Sequence, residues 1–421
     1  MMSSQVVPQG YKQTKVGVIP EEWDLFRIDT ILQRIRKKVN VEKDINYQQI
    51  GIRSHAKGIF HKKLMTGEEL GNKSVFWIEE DCFIVNIVFA WEQAVAKTTK
   101  NERGMIASHR FPMYQPKNNK VNIDYLLYFF KSKRGKHLLG LASPGGAGRN
   151  KTLGQGEFSE LKIPLPPLKE QQKIANILTT WDDTISKQDE LIKAKEELKK
   201  GLMQLLLSGE IRFSGFSGEW EEIRLGDIGK FKTSSVDKKI YDGESLIKLL
   251  NYMDVYKNKK IDNNYHNFTT VSASDTQIKT NNLQKGDIVF TPSSETPEDI
   301  GHSAVILEDL TNVLHSYHVV RFRLDTDMDF DFRGYVFNNK KTLKEFSKRA
   351  TGSTRFTLSI KDFNDAVATI PTEIQEQQKI AKVLSNADKE IDLLKNELEV
   401  LKEQKKGLMQ KLLTGEVRVR V

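Results

Sequence analysis

Residues 170–213 and 376–419 are two copies of one segment. They align at a constant offset of 206 residues, and 21 of the 44 aligned positions are identical. A repeat of that length constrains the whole fold, because each copy must occupy an equivalent place. The duplication reaches upstream. Ile163-Pro164 precedes the first copy and Ile370-Pro371 the second, and Glu22-Trp23 with Arg27-Ile28 is echoed by Glu219-Trp220 with Arg224-Leu225. Each half is therefore a divergent block of about 160 residues followed by one well-matched segment.

The matched segments predict long helices. In the second copy, apolar residues fall at Ile380, Leu384, Ala387, Ile391, Leu394, Leu398, Leu401, Leu408 and Leu412. Steps of four and three make the seam of a coiled coil. The first copy keeps the register at Ile174, Leu178, Trp181, Ile185, Ile192, Leu202 and Leu206, with Gln188, Lys195 and Lys199 as polar interruptions. Pro164, Pro166, Pro167 and Pro371 bar helix upstream, and Gly209 and Gly415 supply the stop. About 39 residues at 1.5 Å each give a rod of about 58 Å. Such a stripe also suits an ordinary core or a homodimer seam. Two matching helices in one chain can instead pair with each other, antiparallel, and satisfy both stripes internally.

Both blocks mix strand-like and helix-like stretches. The first has strand composition at Asp81–Val85 and Gly104–Ser108 and a short helix at Ile123–Lys131. The second answers with Gly286–Phe290, Val313–Ser316 and Phe332–Phe337. Each then carries a small-residue loop ending in arginine, Ser143–Arg149 and Thr351–Arg355. The expectation is an α+β molecule: two similar mixed α/β domains separated by two long helices that form an antiparallel intramolecular coiled coil, with a pseudo-twofold internal repeat. Function tends to sit in loops that vary on a fixed scaffold.

Charge narrows the partners. The chain carries +9 overall, with +10 in residues 1–165 (26 Lys/Arg against 16 Asp/Glu) and −2 in residues 214–371 (21 against 23). A basic balance permits a phosphate-rich partner without demanding one. The single cysteine, Cys82, excludes a disulfide framework and speaks against a cysteine zinc site, which suits a reducing cytoplasm. The first residues lack an apolar signal core, and no run approaches the roughly 18 apolar residues that span a bilayer. There is no phosphate-binding G-x-x-x-x-G-K-[ST] loop, no H-E-x-x-H zinc helix and no Asn/Asp-Pro-Pro-aromatic tetrad. The cluster Gly145-Gly146-Ala147-Gly148 recurs as Gly352-Ser353-Thr354, which reads as a shared turn. The eight histidines are scattered, and His315 and His318 lack partners for a metal site. No cofactor and no metal are expected.

Taken together, these features resemble the specificity subunits of type I restriction–modification systems. The residues that carry the resemblance are Pro20-Glu21-Glu22-Trp23, Ile163-Pro164-Leu165-Pro166-Pro167, Glu170-Gln171-Gln172-Lys173-Ile174, Lys200-Gly201-Leu202-Met203-Gln204 and Leu206–Glu210. The second set is Ile370-Pro371, Glu376–Ile380 and Lys406–Gln410, with Thr372-Glu373 where the first has Leu165-Pro166-Pro167. The resemblance covers nearly the whole chain. It implies target-recognition domains at 1–165 and 214–371, a central helix at 166–213 and a C-terminal helix at 372–421. It implies double-stranded DNA as ligand, with each domain reading half of a bipartite site and the helices setting the spacer. It further implies two DNA-adenine methyltransferase subunits and ATP-dependent restriction subunits as partners. Methylation and cleavage would belong to those partners, leaving this chain non-catalytic.

Base reading needs patterned donors and acceptors, and phosphate contact needs Lys, Arg or small hydroxyls. In the first block the candidates are Arg34, Arg36, Lys37, Lys38, Arg53, His55, Lys57, Lys62, Lys63, Trp91, Gln93, His109, Arg110 and Arg149. In the second they are Asn251, Tyr252, Lys257, Asn258, Lys259, Lys260, Ser293, Ser294, Thr296, Tyr317, His318 and Arg355. Each is otherwise a solvated charge or a satisfied core group. Gln171, Gln172, Gln377 and Gln378, which recur near the helix starts, are candidates for contacting the methyltransferase or for solvating the helix ends. Two other readings remain: a DNA enzyme with fused specificity domains, for which no catalytic segment is left over, and a non-catalytic coiled-coil scaffold of another DNA-processing complex.

Overall fold

The computed structural model describes residues 7–145, 151–263 and 268–420. Two compact units emerge: Met1–Asp189 with Glu397–Val421, and Glu190–Asn396. Both contain the same fold.

In the first unit, one sheet runs in the order Ile59–Thr66, Asn46–Ile52, Ile106–Ser108, Val75–Trp77, and a second runs Leu32–Ile35, Met113–Pro116, Phe83–Val85, Val95–Lys97. In the second unit the corresponding orders are Thr269–Ala273, Ser245–Leu250, Leu310–His315, Asn282–Leu283, and Gly229–Lys232, Val320–Leu324, Ile288–Phe290, Ser303–Ile306. The one parallel pairing in each first sheet is also shared, Asn46–Ile52 with Ile106–Ser108 and Ser245–Leu250 with Leu310–His315. The second unit adds a short helix, Tyr252–Lys257, and a fifth strand, Lys260–Ile261, next to Ser303–Ile306. The expected strands at Phe83–Val85 and Ile106–Ser108 and the helix at Ile123–Lys131 are present. Phe332–Phe337 falls mostly within the helix Phe330–Val336.

The motifs that announced the repeat are hydrogen-bonded to one another. Asp24–Arg27 pairs with Lys162–Leu165, setting Pro164 opposite Leu25; Trp220–Arg224 pairs with Val367–Pro371, setting Pro371 opposite Trp220. Proline is tolerated because each sheet has only two strands and leaves an edge free. This clasp joins the start of each block to its end. Helix pairs follow the same plan: Ile123–Lys131 and Lys133–Leu141 are capped by the side chains of Asn122 and Ser132, and Phe330–Val336 and Lys340–Arg349 by those of Asp329 and Asn339. Each cap satisfies a first-turn amide that the helix itself cannot.

The long helices are Leu168–Leu206 and Ile374–Thr414. In the first unit Lys405 pairs with Asp182, and Gln188 Nε2 donates to Glu397 Oε2 at 3.0 Å. In the second, Lys199 pairs with Asp388, and Lys195 meets Glu390 at 2.6 Å. Numbers fall on one helix as they rise on the other, so the two helices of one chain run antiparallel. The three polar interruptions of the seam are thus explained, since Gln188, Lys195 and Lys199 each meet a carboxylate opposite. Each unit's core recruits both helices. Ile174, Leu178, Leu412 and Leu413 join the first, and Leu206, Leu207, Ile380 and Leu384 the second.

Candidate nucleic-acid interface

Sequence-distant candidates converge in the first unit on one loop. Arg53–Gly58 links strands Asn46–Ile52 and Ile59–Thr66 and turns through positive φ at His55, Ala56 and Gly58. His55 N donates to the Glu92 carbonyl at 2.6 Å and Ala56 N to the Gln93 carbonyl at 2.9 Å. The loop therefore sits on the Trp91-Glu92-Gln93 turn. Arg53 lies 4.9 Å over the Phe60 ring, and Lys151 lies 5.8 Å from the Trp91 ring. His55 and Lys57 are exposed, and Lys62 and Lys63 are exposed on the adjoining strand. Guanidinium and ammonium groups over aromatic faces, in an exposed basic loop, suit a phosphate backbone with base edges beside it. Phe60 and Lys151 escaped sequence reasoning although each borders candidates, Phe60 the Lys62-Lys63 pair and Lys151 Arg149.

Gln93 belongs to the scaffold instead. Its backbone is left-handed, and its Nε2 donates to the carbonyls of Phe130 and Lys131, both at 2.9 Å, at the end of a helix. The side-chain nitrogen is committed to that capping, and Trp91 Nε1 likewise donates to the Val88 carbonyl at 3.2 Å. Arg34, Arg36, Lys37 and Lys38 lie on a different strand and its extension. Arg34 is bonded to Gln155, Arg36 lies 5.1 Å over Phe76, and Lys37 pairs with Glu79 at 2.8 Å. His109 and Arg110 are exposed on a turn. Arg149 lies outside the described residues.

In the second unit the convergence is clearer. Ser293-Ser294 pairs as a short strand with Phe356-Thr357, which brings the Thr351–Arg355 loop alongside. Arg355 then donates through Nε and one terminal nitrogen to the Ser293 hydroxyl at 3.3 and 3.2 Å. Its charge reaches His318, whose pKa is lowered by burial first and by Arg355 and Lys238 next. A neutral imidazole offers one donor and one acceptor, the pattern base edges require. The Tyr317 ring sits 3.9 Å from His318. Burial raises the Tyr252 hydroxyl's pKa, the Asp299 carboxylate adds to the rise, and Arg355 opposes it.

The Tyr252–Lys257 helix contributes a second feature that sequence reasoning missed. Tyr252 stacks on Tyr256 at 5.8 Å, and His302 meets Tyr256 edge-on at 5.1 Å. Asp299 accepts from Tyr256 Oη at 3.0 Å and bonds His302 Nε2 at 2.8 Å. The stacked pair was legible only as a four-residue spacing, which a single helical turn also explains.

Several candidates sit elsewhere. Lys260 lies 3.8 Å from Asp331 and 5.7 Å over Tyr335, and burial together with Lys199 lowers the Lys259 pKa. Lys260 is thereby engaged by the domain helix, and Lys259 lies near Lys199 of the long helix. The Asn251 backbone N–H donates to Asp254 Oδ2 at 2.7 Å at the start of the short helix, and Asn258 Nδ2 donates to the Asp254 carbonyl at 2.8 Å. Ser294 is buried and bonds to the Thr296 carbonyl, whereas Thr296 and Lys257 are exposed.

The paired glutamines divide. Gln171 is 1% exposed: its Nε2 donates to the carbonyls of Pro166 and Lys120 at 2.9 and 3.0 Å, and its Oε1 accepts from Asn122 N at 2.8 Å. Gln377 repeats this with the Pro371 carbonyl and Asp329 N, both at 2.9 Å. Both are clamps between helix start and domain and present no surface to a partner. Gln172 and Gln378 are exposed. Cys82 is buried, its thiol pushed up to about 11 by burial, and is chemically inert. Among the described residues, no group of three His, Cys, Asp or Glu could hold a metal ion, and no helix is long and apolar enough to cross a membrane.

Comparisons with known proteins agree with this doubled architecture. The family described as type I restriction modification DNA specificity domain matches residues 20–196 and again 217–403. The type I restriction enzyme MjaVIII specificity subunit of Methanocaldococcus jannaschii is 26% identical, over 98% of this chain and 97% of its own length. The MjaIX specificity subunit of the same organism is 24% identical, over 97% and 96%. Among solved structures, the HsdS subunit from Thermoanaerobacter tengcongensis superposes with a TM-score of 0.54 at 15% identity, covering 95% of this chain and 98% of that one. The type I system S subunit from M. genitalium gives 0.53 at 16% identity, covering 93% and 96%. With both halves matched and the same fold found twice, the chain belongs to the type I restriction modification DNA specificity domain family and carries that domain in duplicate.

Proposed function

We propose that each recognition domain reads one half of a split DNA site while the antiparallel helices hold the two readings at a fixed spacing. The domains are taken as residues 1–165 and 214–371, and the helical segments as 166–213 and 372–421. The observation that carries this is one scaffold used twice with different side chains at its exposed loops. Equivalent folds bearing unequal surfaces suit two different short sequences. Arg53, His55, Lys57, Lys62 and Lys63 serve the first half-site, and Tyr252, Tyr317, His318 and Arg355 the second. Lys257 and Thr296 add phosphate contacts, as do Arg34, Arg36, Lys37, Lys38, His109 and Arg110. The chain itself is non-catalytic and cytoplasmic. It binds two DNA-adenine methyltransferase subunits, with Gln172 and Gln378 among the docking residues, and ATP-dependent restriction subunits complete the assembly.

The test is to express a methyltransferase partner with and without this chain and to map methylated adenines across a genome. A bipartite motif that appears only with the chain supports the reading. Methylation by the chain alone, or an unchanged pattern on deleting it, overturns it.

A further inference from the structure

One three-way contact occurs in each unit with the same chemistry. In the first, Tyr128 Oη donates to Asp182 Oδ2 at 2.7 Å, and Lys405 holds the other oxygen, Oδ1. Thr179, one turn before Asp182, lies 3.2 Å from the same hydroxyl. The Tyr128 ring is flanked by Lys405 at 5.5 Å and Lys131 at 5.3 Å. In the second, Tyr335 Oη donates to Asp388 Oδ2 at 2.7 Å, and Lys199 holds Oδ1. Lys199 and Lys260 flank that ring at 5.9 and 5.7 Å.

Each cluster joins three elements. The tyrosine comes from a domain helix, the aspartate from the long helix that follows that domain, and the lysine from the other long helix. Domain and helix pair are thereby bonded through one carboxylate. The residues beside the aspartates have diverged between the halves, Trp181 standing against Ala387 and Asp183 against Lys389, whereas both lysines sit in the matched Lys-Lys-Gly-Leu-Met-Gln run and each tyrosine follows an aspartate, Asp124 or Asp331, by four residues. The tyrosine, aspartate and lysine are the same in both. A partly buried ion pair is a weak source of stability, since apolar packing does as well, but it is directional. Direction is what a joint needs.

We infer that these clusters are the joints that set the angle of each recognition domain on the helix pair, making Tyr128, Asp182 and Lys405, with Tyr335, Asp388 and Lys199, positioning residues for spacer discrimination. The inference rests on the reading of two half-sites at fixed separation. A domain free to tilt still reads its own bases but tolerates a neighbouring half-site displaced by a base pair.

The test uses the full chain with its methyltransferase partner and duplexes carrying the native spacer or one base pair more or fewer. Tyr128→Phe and Tyr335→Phe each remove one oxygen. Native-spacer methylation should stay within about threefold and the half-site bases should not change, while preference over altered spacers falls about tenfold. Lys405→Met and Lys199→Met should do the same, and Lys405→Arg and Lys199→Arg should restore much of the preference. Unchanged preference in variants that melt like the parent overturns the inference, as does an equal loss on every spacer. A parent complex without any split site would overturn the underlying reading instead. Should a phenylalanine variant fold poorly, the methionine–arginine comparison decides alone, because both keep the tyrosine.

Discussion

Arg355 shares the Ser293 hydroxyl through two nitrogens and so enters any complex already oriented. A planar fork held in place suits guanine or phosphate, and lysine does not reproduce it. Arg355→Ala should weaken methylation of the native site about ten- to a hundredfold, with Arg355→Lys close behind. Recognition by the first domain should be unaffected when single bases are varied across both half-sites. Equal damage at both halves would contradict it. Arg355 stands out in the sequence because its loop recurs in both blocks; Gln93 stands out as an amide in a polar turn, which looks alike whether it reads a base or caps a helix. His315 was noticed only as half of a histidine pair. Buried, with Nδ1 bonded to the Val319 carbonyl at 3.1 Å, its pKa is lowered to about 4, by burial first and the Arg321 charge next. The unfolded chain binds that proton near the usual 6.5, so between pH 6.5 and 4 it takes up more protons than the folded one. Stability should therefore be intact above pH 6.5 and fall as pH drops toward 4, by about 3 kcal/mol at most for a shift of this size. Urea midpoints across that range should show the loss in the parent and a flatter profile in His315→Gln.

Among the elements, the long helices were the most legible. Seam, upstream prolines and terminal glycines all survive in the structure, because a helix is encoded by local spacing. The sheets were not, since their order depends on pairings between residues far apart, as between Asn46–Ile52 and Ile106–Ser108. Even the clasp motifs were visible only as words that recur, without the hydrogen bonds that explain them. The two helix stops look equivalent in sequence and differ in space. Gly209 and Gly415 both adopt left-handed backbone, with φ of 75° and 76°. A Cβ at Gly209 would lie 3.4 Å from the Trp220 ring, an ordinary contact, whereas at Gly415 it would lie 2.4 Å from Pro20 Cγ. Gly209→Ala should thus cost about 1–2 kcal/mol from backbone handedness alone. Gly415→Ala must also displace Pro20, which packs beside the buried Trp23. Its urea midpoint should be lower than that of Gly209→Ala, and equal midpoints would mean that Pro20 yields freely.

For the whole molecule, a helix pair that serves as a ruler must respond to its length. Residues 186–192 face residues 393–399 in the antiparallel register defined by Gln188 with Glu397 and Lys195 with Glu390. Deleting both sevens removes one heptad from each helix and leaves the seam in phase, so pairing survives. The pair shortens by about 10 Å at 1.5 Å per residue. Duplex DNA covers that distance in about three base pairs, and over them its grooves rotate by about 100°. The helices, cut by a whole heptad, barely rotate, by about 20°. Length and angle therefore conflict: a spacer three base pairs shorter restores the separation but presents the wrong face. The shortened protein, with its methyltransferase partner, should lose nearly all methylation of the native site and recover little on any spacer from four shorter to four longer. Deleting one heptad from a single helix should instead unpair the seam and lower the melting temperature. Full activity of the double deletion on the native spacer would show that the helices do not measure the DNA, and the source of the spacing would then lie in the partner subunits.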